Sequence, residues 1–182
     1  MERREIDEGT LSQDAIAVVN CVRSSLFTSY GLRRDSKLIL YPLSRHDKLI
    51  MIEGDKLRYM GPNERSISIL LSMSAKKLSS ADLRQKPESS PGITTLERSV
   101  VSSLIRQENC LLLYQSDEGL DLRTIKFTEN TVFICRLNRE LNLESFIHLF
   151  RNETQNMCRV KSEDEAEKAI LLTNIEIDRQ RT

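Results

Sequence analysis

Residues 130–141, NTVFICRLNREL, join an apolar run to a polar and basic lip. Four consecutive apolar residues, Val132 to Cys135, ask for cover on both faces, as in the central strand of a parallel sheet. In open α/β sheets ligands sit beyond the carboxyl ends of such strands, commonly where glycines let a cofactor approach the backbone. Here the lip is Arg136, Leu137, Asn138 and Arg139. It is either an edge that holds a ligand through side chains or an edge that holds none.

The same pattern flanks this stretch on both sides. CLLLY ends in QSDEG, and MCRV ends in KSEDE. Neighbouring parallel strands would bring the three polar loops to one crevice, with solvated loops as the plain alternative. No GxGxxG, P-loop, GxSxG or HExxH motif is present, and Gly119 is the one glycine in the three loops.

Upstream, Leu11, Ala15, Val18, Val19, Val22 and Leu26 form one helical stripe, for which Gly31 supplies a left-handed stop. KLILYPL and KLIMIE read as strands joined by the turn SRHD, with Pro42 ending the first near a sheet edge or a strand end, and KLRYM as a third strand. Pro62 opens a second helix whose apolar face is Ile67, Leu70, Leu71, Ser74 and Leu78. The polar segment 79–92, SSADLRQKPESSPG, is the connecting loop, followed by a helix around Glu97 to Gln107. ESFIHLF reads as a short helix. The last helix opens with Ser162 and Glu165 at capping-box spacing and carries the stripe Ala166, Ala169, Ile170, Thr173 and Ile177. Helices interleaved with apolar strands indicate an α/β fold with a mostly parallel sheet, and 182 residues fit a single domain over 1–182.

Lys plus Arg and Asp plus Glu each number 27, so no global field draws in nucleic acid or an anionic membrane. Any anion site is local. Arg33, Arg34 and Asp35 are candidates for phosphate contact, with a solvated pair as the alternative, and Lys76 with Lys77 read the same way. Glu163, Asp164, Glu165 and Glu167 suit the start of a helix rather than acid/base work. Cys21, Cys110, Cys135 and Cys158 are dispersed in apolar segments without a CxxC, as small buried hydrophobes of a reducing compartment. His46 and His148 lack partners at metal spacing, so no metal is expected. No apolar run reaches the ~20 residues of a membrane span and no apolar signal region follows the start. A cytoplasmic protein without a membrane partner is expected.

Taken together, NCVRSSLFTSYGLRRDSKLIL, GDKLRYMGPNERSISILL and SSPGI resemble, in order and spacing, the archaeal TrmY group of tRNA pseudouridine methyltransferases, over roughly Gln13 to Asp178. The resemblance rests on Arg33 to Asp35, on Pro62 with Glu64 and Arg65, and on Ser90, Pro91 and Gly92; SDEG matches the acidic-glycine turn after the first knot strand. It implies the SPOUT fold, a parallel sheet with a C-terminal trefoil knot, one of the rare exceptions to unknotted chains. It further implies a homodimer, S-adenosylmethionine in the knot loops, and methyl transfer to a pseudouridine ring nitrogen in the tRNA T-loop. On this basis the cofactor-binding residues would be Gln115, Ser116, Gly119, Cys135, Arg136, Leu137, Asn138, Val160 and Lys161. Arg33, Arg34 and Asp35 would be the RNA-binding ones.

The chain also departs from the family pattern. Arg136, Leu137 and Asn138 stand where the family has a small residue, Asp and His. KSEDEAEKAILLTN keeps Asn174 but replaces a Pro- and His-containing loop, and Asp14 and Ile16 fall where the family has Arg and Asp. Long side chains at a strand end obstruct approach to the backbone. The expectation is therefore a SPOUT-fold protein with a degenerate cofactor site that binds tRNA, another RNA or a protein partner, its catalytic residues unassigned. An active S-adenosylmethionine-dependent RNA methyltransferase and a structural dimeric partner protein are the alternatives.

Overall fold

The computed structural model describes residues 1–42, 48–79, 88–97, 99–106, 110–138, 143–154 and 156–181. They fall into two compact units, Met1–Arg98 and Ser99–Thr182. The turn SRHD with His46, most of the 79–92 loop, Gln107 and Arg139 lie outside the described residues.

The first unit opens with a short helix that the hydropathy pattern does not announce, α1 (Arg3–Glu8), closed at both ends by a Glu2/Glu5 capping box and by left-handed Gly9. Helix α2 (Gln13–Leu26) is capped by Ser12, whose hydroxyl accepts from the Ala15 amide at 3.3 Å. It ends at extended Phe27, earlier than expected. Gly31 is no helix stop: it lies at φ 149° in the hairpin of β1 (Phe27–Thr28) and β2 (Gly31–Leu32), because β-pairing takes over before a C-cap can form. Strands β3 (Lys37–Leu40) and β4 (Lys48–Glu53) follow, then α3 (Glu64–Ser79), β5 (Glu88–Ser90) and β6 (Ile93–Glu97).

These strands form an antiparallel sheet in the order β3-β4-β6-β5, so the expected parallel order does not extend to this unit. As Pro42 suggested, β3 is an edge strand. KLRYM is not a strand. Leu57 and Met60 drop into the core while the chain turns between them, so the apparent strand is a built loop. Glu88–Ser90 is likewise a strand inside the expected connecting loop, and Glu97 ends β6 rather than starting a helix. Val19, Val22, Leu26, Ile52, Ile67, Leu71 and Ile93 make the core of this unit, each worth about 1.5–3 kcal/mol when fully buried.

In the second unit α4 (Ser99–Ile105) precedes three strands, β7 (Leu111–Ser116), β8 (Thr131–Ile134) and β9 (Met157–Lys161), with α5 (Leu143–Ile147) between the last two and α6 (Ala166–Arg181) at the end. The strands are parallel neighbours, as expected, in the order β8-β7-β9. The central strand is β7, not β8. Its interior residues are buried throughout, whereas β8 lies at the edge and is half-buried along its length. Its apolar run satisfies two partly covered faces rather than a central position.

Alternation divides the side chains of this sheet. Leu113 and Val160 pack with Phe133, Leu122 and Ile125 on one face. On the other, Tyr114 and its register partner Arg159 meet α5: the Arg159 guanidinium donates to the Tyr114 hydroxyl at 2.8 Å and pairs with Glu144 at 3.3 Å. Helix α6 lies against the crossing segment between β7 and β8, where the Gln180 amide donates to the Ile125 carbonyl at 2.7 Å and accepts from the Phe127 amide at 3.1 Å.

Candidate functional site

Because β7, β8 and β9 run parallel, their carboxyl ends open on one edge, where Gln115 joins all three loops. It is only 4% exposed. Its Nε2 donates to the Asp164 carbonyl at 2.8 Å and to the Ser162 carbonyl at 3.4 Å, and its Oε1 accepts from the Arg136 amide at 3.3 Å. Above it the Arg136 guanidinium, largely covered, pairs with Asp117 at 3.0 Å. Side chains thus span the space between the strand ends.

Five further backbone donors at these loops are engaged. Ser162 N donates to the Ser116 carbonyl, Leu120 N to Arg159, Lys161 N to Leu120, Glu118 N to the Ser116 hydroxyl and Asp164 N to the Ser162 hydroxyl. That last bond also corrects the expected capping box, since α6 begins after Glu165, beyond the reach of a Ser162 cap. Gly119, at φ 156°, serves packing: a Cβ there would meet the Arg159 carbonyl oxygen at 2.6 Å. The glycine lets β9 approach.

A cleft of about 550 Å³ lies beside this edge, between the 119–123 segment and α6. Of the sequence-derived cofactor residues, Gly119, Val160 and Lys161 line it, while Gln115, Ser116 and Cys135 to Asn138 do not. Two of its carboxylates face local cations: Asp164 pairs with Lys168 at 2.5 Å and Glu176 with Arg179 at 2.8 Å. Burial pushes the Cys135 thiol up to about 12, which keeps it protonated and without nucleophilic character. Among the described residues no three His, Cys, Asp or Glu side chains gather as a metal site.

Arg33, Arg34 and Asp35 lie in the first unit. Arg33 donates its amide to the Leu26 carbonyl at 2.7 Å. Arg34 reaches across to the 54–57 turn, its Nη1 donating to the carbonyls of Gly54 at 3.2 Å and of Asp55 and Leu57 at 3.4 Å. Gly54 is required there, since a Cβ would meet the Arg33 carbonyl oxygen at 1.9 Å. Sequence reasoning missed Arg58 and Tyr59, the same turn's exposed residues, because KLRYM alternates like a strand. No helix among the described residues is long and apolar enough to cross a membrane.

The family described as "Putative SAM-dependent RNA methyltransferase" matches residues 12–182. The chain belongs to this family, the TrmY-like group. Two relatives are each named tRNA (pseudouridine(54)-N(1))-methyltransferase. That of Methanocella arvoryzae is 27% identical over 165 residues, 90% of this chain and 84% of the relative. That of Methanosarcina mazei is 38% identical over 118 residues, 63% of this chain and 54% of the relative. Among solved structures, Archaeoglobus fulgidus Nep1 bound to S-adenosylhomocysteine superposes with a TM-score of 0.58 at 13% identity, covering 91% of this chain and 70% of that one. That likeness concerns the fold alone.

Proposed function

We propose that this TrmY-like chain is a SPOUT-class tRNA-binding protein whose cofactor crevice is closed to S-adenosylmethionine. One observation carries the reading. The buried Gln115 carboxamide bridges the loops after all three strands, and the covered Arg136 guanidinium pairs with Asp117 across two of them. A nucleoside and an amino-acid headgroup would have to displace at least three hydrogen bonds of a buried carboxamide, whose loss is costly when its partners stay buried. The family match continues unbroken through both units, which supports one domain. The pinning of α6 to the β7–β8 crossing supports a knotted C-terminus. The exposed apolar side chains of Leu171, Leu172 and Ile175 support a homodimer in which α6 is covered. The chain would act in the cytoplasm, on tRNA.

Isothermal calorimetry of the purified chain with S-adenosylmethionine tests the proposal. No heat of binding up to millimolar ligand is expected. Low-micromolar affinity would overturn it in favour of the second reading, methyl transfer to a tRNA pseudouridine, which the relatives' names support.

A further inference from the structure

Two guanidinium groups in the first unit are gathered on the same two oxygens. Arg34 Nη1 donates to the Asp55 and Leu57 carbonyls, and Arg58 Nη1 donates to the same pair, at 3.3 and 2.9 Å. Neither arginine forms an ion pair with a carboxylate among the described residues, and neither does Arg23, whose Nε donates to the Pro62 carbonyl at 3.0 Å. Asp35 and Asp55 are the acidic residues of these two segments, and Asp55 enters the arrangement through its carbonyl. Like charges repel, so holding two of them on neutral acceptors works against folding unless an anion comes between them.

Tyr59 follows directly. It is 86% exposed. It is also, among the described residues, the one non-glycine with a left-handed backbone, at φ 63°. A bulky residue in that region is strained, and an aromatic ring in water returns no packing energy for it. The conformation is imposed from both sides, by Leu57 and Met60 buried in the core and by Ser66, whose hydroxyl accepts from the Gly61 amide at 2.9 Å while its own amide donates to the Asn63 side chain at 2.8 Å. A rigid turn thus displays an aromatic face beside two uncompensated arginines. Ring faces stack on any unpaired base, and arginine pairs grip phosphate.

We propose that Arg34, Arg58 and Tyr59 form a site for one unpaired nucleotide of RNA, with the phosphate between the guanidinium groups and the base on the Tyr59 ring. This rests on the RNA-binding half of the function proposed above and extends it from Arg34 to Arg58 and Tyr59. The two parts of the site have separate signatures. Stacking depends on a single-stranded base, whereas the phosphate contact depends on salt.

The test is fluorescence-anisotropy titration of a synthetic tRNA T-arm hairpin, and of a blunt duplex of equal length, over a series of salt concentrations. For the hairpin, Tyr59→Ala is expected to weaken binding about tenfold with an unchanged salt slope, while Tyr59→Phe binds like wild type. For the duplex, Tyr59→Ala should have no effect. Arg58→Gln should weaken both ligands and lower the salt slope by about one. Tyr59→Gly, which relieves the left-handed strain, should bind the hairpin as weakly as Tyr59→Ala and melt no lower than wild type, so that loss of binding is not loss of fold. Wild-type affinity in Tyr59→Ala and Tyr59→Gly, or equal effects of Tyr59→Ala on hairpin and duplex, would overturn the site while leaving RNA binding in place. A wild type that binds neither RNA would overturn both readings.

Discussion

The Gln115 carboxamide donates to the Asp164 carbonyl at 2.8 Å, across the gap between the end of β7 and the loop that leads into α6. A side chain at this point satisfies polar groups of separate loops at once. Gln115→Leu keeps much of the volume and removes three hydrogen bonds, leaving the Arg136 amide and the Ser162 and Asp164 carbonyls without that partner. The expected loss is about 2 kcal/mol of stability, read as a lower urea midpoint with unchanged slope. A variant as stable as wild type would mean that water or a loop movement replaces the carboxamide, and that the crevice is not closed by it.

A second dependence involves pH. The hydrogen bond from the Arg106 guanidinium holds the Glu153 carboxyl below the usual carboxylate range. A carboxyl with a lowered folded value contributes stability that is present above its unfolded value, near 4.3, and lost as pH falls through the folded one. Glu153→Gln should therefore have a lower urea midpoint than wild type at pH 7, and the difference should narrow progressively as pH falls below the unfolded value. A constant difference across that range would assign the effect to packing.

The parallel trio was legible because CLLLY, TVFIC and MCRV are short apolar runs that end in polar loops. Their order was not, since hydropathy records how much cover a strand needs and not which neighbours supply it. Val132 to Ile134 look as central as Leu111 to Tyr114, yet only the latter pair on both edges. Gln115 was visible as a loop-proximal polar residue, but its engagement by residues 21 and 49 positions away could not be read locally. In the first unit the alternation of Leu57, Tyr59 and their neighbours imitates a strand. The competing signal, a turn fixed by Gly54 against the Arg33 carbonyl and by Gly92 against Leu57, comes from contacts remote in sequence.

The thiol of Cys135 gives a chemical check on the β8 end. With its ionisation pushed up to about 12, the thiolate fraction at pH 8 is roughly a thousandfold smaller than for an ordinary cysteine. Iodoacetamide labelling at pH 8, followed by peptide mass spectrometry, should modify Cys135 more slowly in the folded protein than in urea. Labelling at the unfolded rate would show an open strand end and return Cys135 to the residues accessible to a ligand.

Helix α6 presents the last relationship between sequence and assembly. Ala166, Ala169 and Thr173 are buried on its inner side, whereas Leu171, Leu172 and Ile175 are 45%, 38% and 50% exposed. Leu171 and Ile175 are one turn apart, and Leu172 stands beside them, so the three form a continuous apolar strip. A second copy meeting this strip would bury the same side chains twice about a twofold axis, and full burial of Leu172 contributes roughly 1.5–3 kcal/mol per subunit. Leu172→Glu and Leu171→Glu are each expected to shift a dimer toward monomer, by about 10-fold or more in dissociation constant, since each places a charge where the partner's apolar strip would lie. Multi-angle light scattering at tens of micromolar separates the outcomes. A monomeric wild type removes the homodimer, and a dimer that survives both substitutions places its interface on another surface, leaving the strip to solvent or to a different partner.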